Sequence, residues 1–306
     1  MPYSVHYNLS IIQPTIRLIV ANSLFLILPF FLPNVLLAQL DVPGLEHPYG
    51  ITPYGKDIFV SNIGANFHPL KKDGDGFISL LSADGEIVEL NAFPDLRLNA
   101  PKGLAVLNNY LYIADIDEIT IINLKTKALE QAISLRSFSS DLRDLSVLFS
   151  SKLGVIATDR KFLIEVSPFE RSWAKVGGEL PVPGLQNLIF DSMTKTAYVS
   201  GYNDSVQDGE VGKIDLITGK YMKLSDLSQP NRGLFLQQNN LIFASWNKDD
   251  QRVILQSLHI HFKKTKTIPF AEMNPPAQLM YEPTKKKIWM TCPEENRLVL
   301  YDWTMP

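Results

Sequence analysis

Lys102, Arg143 and Arg232 stand at one recurring position of the chain, each two residues ahead of an aliphatic residue that opens a short strand. Tyr49 and Gln186 take the corresponding place in two further repeats, and Gln278, next to Leu279, is aligned with them as the sixth ring position. None of the six is a carboxylate and three are cations. A ring of that composition repels a divalent ion and attracts a small carboxylate or phosphate. Asp115 and Asp159, at the ends of the strands that follow, are the acids placed to balance it. Two outcomes stay open from the residues alone. Either the acids pair with Lys102 and Arg143 in a neutral network, or the ring captures an anion, with Tyr49, Gln186 and Gln278 supplying hydrogen bonds. Asp144 and Asn187 lie one position along, and drawing them into the ring would take Leu145 and Leu188 out of register.

The elements that must carry this ring come from internal repetition. Six segments open with a turn and a short apolar strand: His47-Pro-Tyr-Gly-Ile51, Ala100-Pro-Lys-Gly-Leu104, Leu142-Arg-Asp-Leu145, Gly184-Leu-Gln-Asn-Leu188, Pro230-Asn-Arg-Gly-Leu234 and Pro276-Ala-Gln-Leu279. Each continues with a second strand of β-branched and aromatic residues, such as Tyr110–Ala114 after the Asn108-Asn109 turn. Asp84-Gly85 and Thr218-Gly219 read as hairpin turns between third and fourth strands. Four-stranded units of about 45 residues, six times over, predict an all-β, six-bladed β-propeller. After Leu279 the chain has room for only three more strands. Residues 39–45 precede the first repeat, so an N-terminal strand is expected to close the last blade and remove its open edge.

These residues resemble the regucalcin/gluconolactonase/strictosidine-synthase-like six-bladed propellers, most nearly a bacterial exported, gluconolactonase-like branch. The resemblance rests on Val60-Ser-Asn-Ile-Gly64, Lys72-Asp-Gly-Asp-Gly-Phe-Ile78, Asn99-Ala-Pro-Lys-Gly-Leu104, Tyr112-Ile-Ala-Asp-Ile-Asp117 and Gly212-Lys-Ile-Asp-Leu216, and it spans the chain from residue 46 onwards. It implies a lactone or ester hydrolase with a divalent ion, typically calcium, held at the axial mouth by Glu, Asn and Asp from different blades. The six ring positions of this sequence offer no carboxylate, so the metal site is expected to be lost, and with it metal-activated hydrolysis.

Other motifs have plainer readings. Lys71–Ser82 imitates an EF loop through Asp73, Asp75 and Gly76, but Lys71 and Ser82 replace the essential acids, leaving a long turn. His259-Ile-His261 puts two imidazoles on one strand face without a third ligand. His47 and His68 have no nucleophile motif beside them, and Cys292, the sole cysteine, reads as a small buried residue at a strand end.

Leu18–Ala38 is an apolar stretch led by Arg17, with no acid before Asp41, which predicts an export signal cleaved near Ala38. A retained anchor is the rival reading. Pro29, Pro33, Asn22 and Asn34 make a poor spanning helix. The domain plan is thus a signal over residues 1–38 and a propeller over 39–306, periplasmic or secreted. Removing residues 1–38 takes away one cation and no anion, so the formal charge falls from −3 to −4. That acidic balance, with no long basic run, argues against nucleic acid as a partner. The expected function is a non-catalytic, monomeric propeller that binds a small anionic or polar molecule, or a partner protein, at its mouth. No membrane contact is expected beyond the signal. The alternatives are a gluconolactonase-type hydrolase, using Asp144, Asn187, Asp115 or Asp159 for a metal, and a scaffolding propeller whose mouth is tied up by salt bridges. No cofactor is expected, calcium entering only with the hydrolase.

Overall fold

Alternating apolar and polar residues, interrupted by Gly, Asn and Lys turns, leave the chain no option but short antiparallel strands. The computed structural model describes residues 38–149, 151–247, 252–272 and 276–303. All of them fall within one compact unit, Asn34–Pro306. The expected export segment lies, but for its last residue, outside the described residues. Among the described residues no helix is long and apolar enough to cross a membrane.

Six four-stranded antiparallel sheets form the blades of a β-propeller. The innermost strand of each, in chain order, is Pro48–Tyr54, Pro101–Leu107, Leu142–Phe149, Leu185–Asp191, Asn231–Gln237 and Gln278–Glu282. The second strands are Asp57–Asn62, Tyr110–Asp115, Lys152–Ala157, Thr196–Asn203, Asn240–Asn247 and Lys287–Cys292. The repeat spacing thus marks the blades where they lie. In the sixth sheet the outermost strand is Ala38–Val42, paired antiparallel with Arg297–Asp302 through Leu40 opposite Leu300 and Val42 opposite Leu298. Arg297 also donates to Asp41 at 2.8 Å.

Apolar clusters fill the spaces between neighbouring blades. Phe59, Ile78, Leu104 and Leu111 join the first to the second. Val155 and Ile164 of the third meet Tyr112 and Ile121 of the second. The ring is completed by Trp289, Leu298 and Val42 packed on Ile51, Ile58 and Leu81. Each such side chain stabilises by about 1.5–3 kcal/mol on full burial, so this core replaces the disulfides that the lone Cys292 cannot form. Val42 and Leu45 are buried members of the last cluster. Deleting residues 39–45 is therefore expected to expose the edge of Arg297–Asp302 and uncover Trp289, lowering the melting temperature by ten degrees or more, on the order of 3–5 kcal/mol. An unchanged melting temperature in a monomeric deletion variant would show that this strand is dispensable.

Two glycines shape the axis. A Cβ on Gly50 would lie 1.8 Å from the Lys102 carbonyl oxygen, and one on Gly103 would lie 2.5 Å from the Leu145 nitrogen. Inner strands of neighbouring blades therefore touch at their first residues, backbone against backbone. The candidate site sits where they converge.

Candidate functional site

A strand interior shows alternate residues to one face, yet the inner strands begin irregularly. Their pairing with the second strands slips between Pro48 and Ile51, Pro101 and Leu104, Leu142 and Leu145, Leu185 and Asn187, and Arg232 and Phe235. Such a bulge lets two consecutive residues reach the same side. Arg143 and Asp144 accordingly line one axial recess together, as do Gln186 and Asn187, with Tyr49, Gly103, Ala277 and Gln278 completing it. This corrects the expectation that Asp144 and Asn187 could join only if Leu145 and Leu188 left register, because the bulge accommodates both. The sixth inner strand pairs without a slip, Gln278 opposite Thr291 and Leu279 opposite Met290. Gln278 therefore matches Asp144 and Asn187, and Ala277 takes the place expected for Gln278.

The recess measures about 10 Å³, room for a single water. Asp144, 6% exposed, holds its floor. Its Oδ1 accepts the Leu145 N–H and the Gln278 Nε2–H, each at 2.9 Å, and its Oδ2 accepts the Leu188 N–H at 2.8 Å. The Gln278 Oε1 in turn accepts the Ile51 N–H at 2.7 Å. One carboxylate and one amide thus connect blades three, four, six and one across the axis. Burial pushes the Asp144 carboxyl up to about 7, against the two backbone N–H groups that favour its charge. Gln186 donates to the Asn231 carbonyl at 3.1 Å, and Asn187 accepts from Ser200 at 3.3 Å.

Lys102 and Arg143 share one acid that the sequence reading passed over, Asp141. Arg143 Nε donates to both of its oxygens, at 2.9 and 3.0 Å, and Arg143 Nη1 donates to the Tyr49 hydroxyl at 3.1 Å. The Tyr49 oxygen, then Asp141, raise the guanidinium pKa further. Lys102 is wholly buried, its Nζ donating to the Pro69 carbonyl at 2.6 Å and lying 3.7 Å from Asp141. Desolvation lowers its pKa to about 8, with Asp141 opposing. The cations do share a buried acid, but a different one from the two expected, and one carboxylate between two cations leaves the group net positive. Asp115 caps the Asn99 and Ala100 N–H groups, each at 2.8 Å. Asp159 accepts from Ser139 at 2.5 Å and from the Ser140 N–H at 3.1 Å. Arg232 pairs with Glu294 at 3.3 Å. Of the eight predicted site residues, then, the recess brings together Tyr49, Arg143, Gln186 and Gln278. Lys102 lies behind it, and Arg232, Asp115 and Asp159 are engaged elsewhere. The signal for Asp141 was its spacing: an acid two residues before Arg143, just ahead of the inner strand Leu142–Phe149.

A calcium ion suits this donor set poorly. The recess holds one carboxylate, already accepting three hydrogen bonds, beside a guanidinium, and hard cations need six to eight oxygens. Among the described residues no group of three or more His, Cys, Asp or Glu is arranged to hold a metal. His259 Nδ1 accepts the His261 and Phe262 N–H groups, each at 3.3 Å, so that imidazole pair serves a turn. Asp75 of the EF-like segment accepts the Ala65 N–H at 3.1 Å, and the segment is a loop that leads into the third strand of the first blade, Phe77–Ser82. Cys292 is fully buried, and burial raises its thiol pKa.

No protein-family model matches the chain, and no curated protein matches it in sequence. Solved structures match its shape. Hydrazine synthase of Kuenenia stuttgartiensis is 13% identical, with a TM-score of 0.63 over 84% of this chain and 77% of that one. A Bacteroides uniformis protein named for 6-phosphogluconolactonase activity is 13% identical, with a TM-score of 0.59 over 85% and 82%. Virginiamycin B lyase of Staphylococcus aureus is 12% identical, with a TM-score of 0.56 over 87% and 98%. At such identities the likeness is one of fold. Sheet order, interblade cores and structural neighbours agree that the chain is a six-bladed β-propeller.

Proposed function

We propose that this chain is an exported, gluconolactonase-like propeller that binds a small anionic or polar molecule at its axial recess without turning it over. The observation that carries the reading is the convergence of the Arg143 guanidinium, the Tyr49 hydroxyl and the Gln186 and Asn187 amides on one recess. A space for one water admits a single polar group, such as a carboxylate oxygen or a hydroxyl, with the rest of the ligand above the mouth. The reading is non-catalytic because the recess offers no Ser, Cys or Lys nucleophile beside a base, and its donors suit calcium poorly. The structural neighbour named for 6-phosphogluconolactonase activity keeps sugar-lactone chemistry as the alternative. Asp141, by pairing with both Lys102 and Arg143, favours a second reading in which the mouth is purely structural.

Calorimetry separates the three. Calcium is expected to give no binding heat. Acetate and inorganic phosphate are expected to bind weakly, less at higher ionic strength, and not at all in Arg143→Gln. Tight calcium binding lost in Asp144→Asn would restore the hydrolase. If neither calcium nor an anion binds and Arg143→Gln only lowers the melting temperature, the structural reading stands.

A further inference from the structure

Beyond the recess the axis widens. The six inner strands all begin at the mouth and run away from it, and their later residues enclose a funnel of about 570 Å³ opening on the opposite face. Its neck is the ring of aligned aliphatic residues, Ile51, Leu104, Leu145, Leu188, Leu234 and Leu279. Gln278 belongs to both spaces, so its amide, tied to Asp144 and Ile51, forms the partition. Glycine lets neighbouring inner strands touch at the mouth. Beyond the neck, larger side chains such as Val106, Val147 and Leu236 line the wall.

Three properties point to a ligand. The volume is within the range of about 300–1,000 Å³ that small-molecule sites occupy. Among the described residues the lining has no Lys, Arg, His, Asp or Glu, so nothing there compensates the desolvation of a charged guest. Gln237 and Gln238 stand at the rim where the inner strands end, while the hydroxyls of Thr52 and Ser146 lie just beyond the neck among otherwise mostly aliphatic side chains. Every wall is an inner strand backed by three more strands, so the space is formed before any guest arrives and binding costs little ordering.

We propose that this funnel binds a small, uncharged, largely hydrocarbon molecule, which enters from the face opposite the mouth and leaves its hydrogen-bonding group at the glutamine rim. The site is independent of the anion recess, from which the Gln278 partition separates it.

The test uses uncharged N-phenyl-1-naphthylamine, whose fluorescence rises in apolar surroundings, titrated into the full propeller. Saturable one-to-one binding is expected. Val147→Trp, filling the funnel, and Val106→Lys, placing a charge on its wall, should each raise Kd at least tenfold, while Arg143→Gln at the mouth leaves it unchanged. Both valines are only half-buried, and if the tryptophan variant fails to fold the lysine variant decides. Non-saturable binding by the unaltered protein would overturn the proposal. So would affinity unchanged in the folded variants, which would place the dye on exposed apolar residues such as Phe169 or Phe262.

Discussion

Asp141→Ala is expected to cost about 3–5 kcal/mol of stability, the loss that follows when one partner of a buried ion pair is removed. Asp141 is 7% exposed and serves two cations, the wholly buried Lys102 and the largely buried Arg143. Its removal leaves Lys102 with the Pro69 carbonyl and the more distant charge of Asp115, and Arg143 with the Tyr49 hydroxyl. At a shift of about 2–4 °C per kcal/mol for a domain of this size, thermal unfolding should begin roughly ten degrees lower. Lys102→Met in the same background removes the orphaned charge and keeps the volume, so it should recover part of the loss. A melting temperature within two degrees of the original for Asp141→Ala would mean that water, not Asp141, balances these cations.

Asp144 should make the protein more stable in mild acid than its other carboxylates would allow. Its folded-state pKa, about 7, lies above the unfolded value of about 3.9. The folded state therefore holds the proton more tightly. The stabilisation from that proton is complete below pH 4 and is lost as pH rises through 7. The shift corresponds to a few kcal/mol at most between those limits. Asp144→Asn removes the titration, so the difference in melting temperature between mutant and unaltered protein should change by several degrees from pH 5 to pH 8. The mutant should fare relatively better at pH 8. Its amide turns one donor toward a backbone N–H, a constant penalty of about 1–3 kcal/mol that does not mimic a pH slope. Parallel stability–pH curves would show that Asp144 stays ionised and that its three donors outweigh burial.

Much of the architecture was legible in the chain itself. The aliphatic residue that closes each opening motif recurs at regular spacing, and all six of these residues meet at the funnel neck. Period-two alternation and turn residues are local properties, so they survive in a single sequence without homologues. Lys102, Arg143 and Arg232 were equally visible as a recurring set, each two residues ahead of an aliphatic strand residue.

What the side chains do with one another was decided by tertiary structure. Strict alternation makes Arg143 and Asp144 face opposite ways, yet a bulge turns both to the axis, and a bulge has no signature in residue type when the extra residue is not glycine. Gln278 directly precedes Leu279 as Asp144 precedes Leu145, and closure of the ring brings the two into contact although they lie 134 positions apart. Asp115 and Asp159 were as good a match in charge as Asp141, but each is drawn to nearer backbone N–H groups, and only Asp141 lies within reach of both cations. Pairing between charges depends on distances of a few ångströms set by six strands far apart in the chain. The sequence therefore placed Tyr49, Arg143, Gln186 and Gln278 near the axis, and the closure of the ring decided which further groups join them and which of them meet.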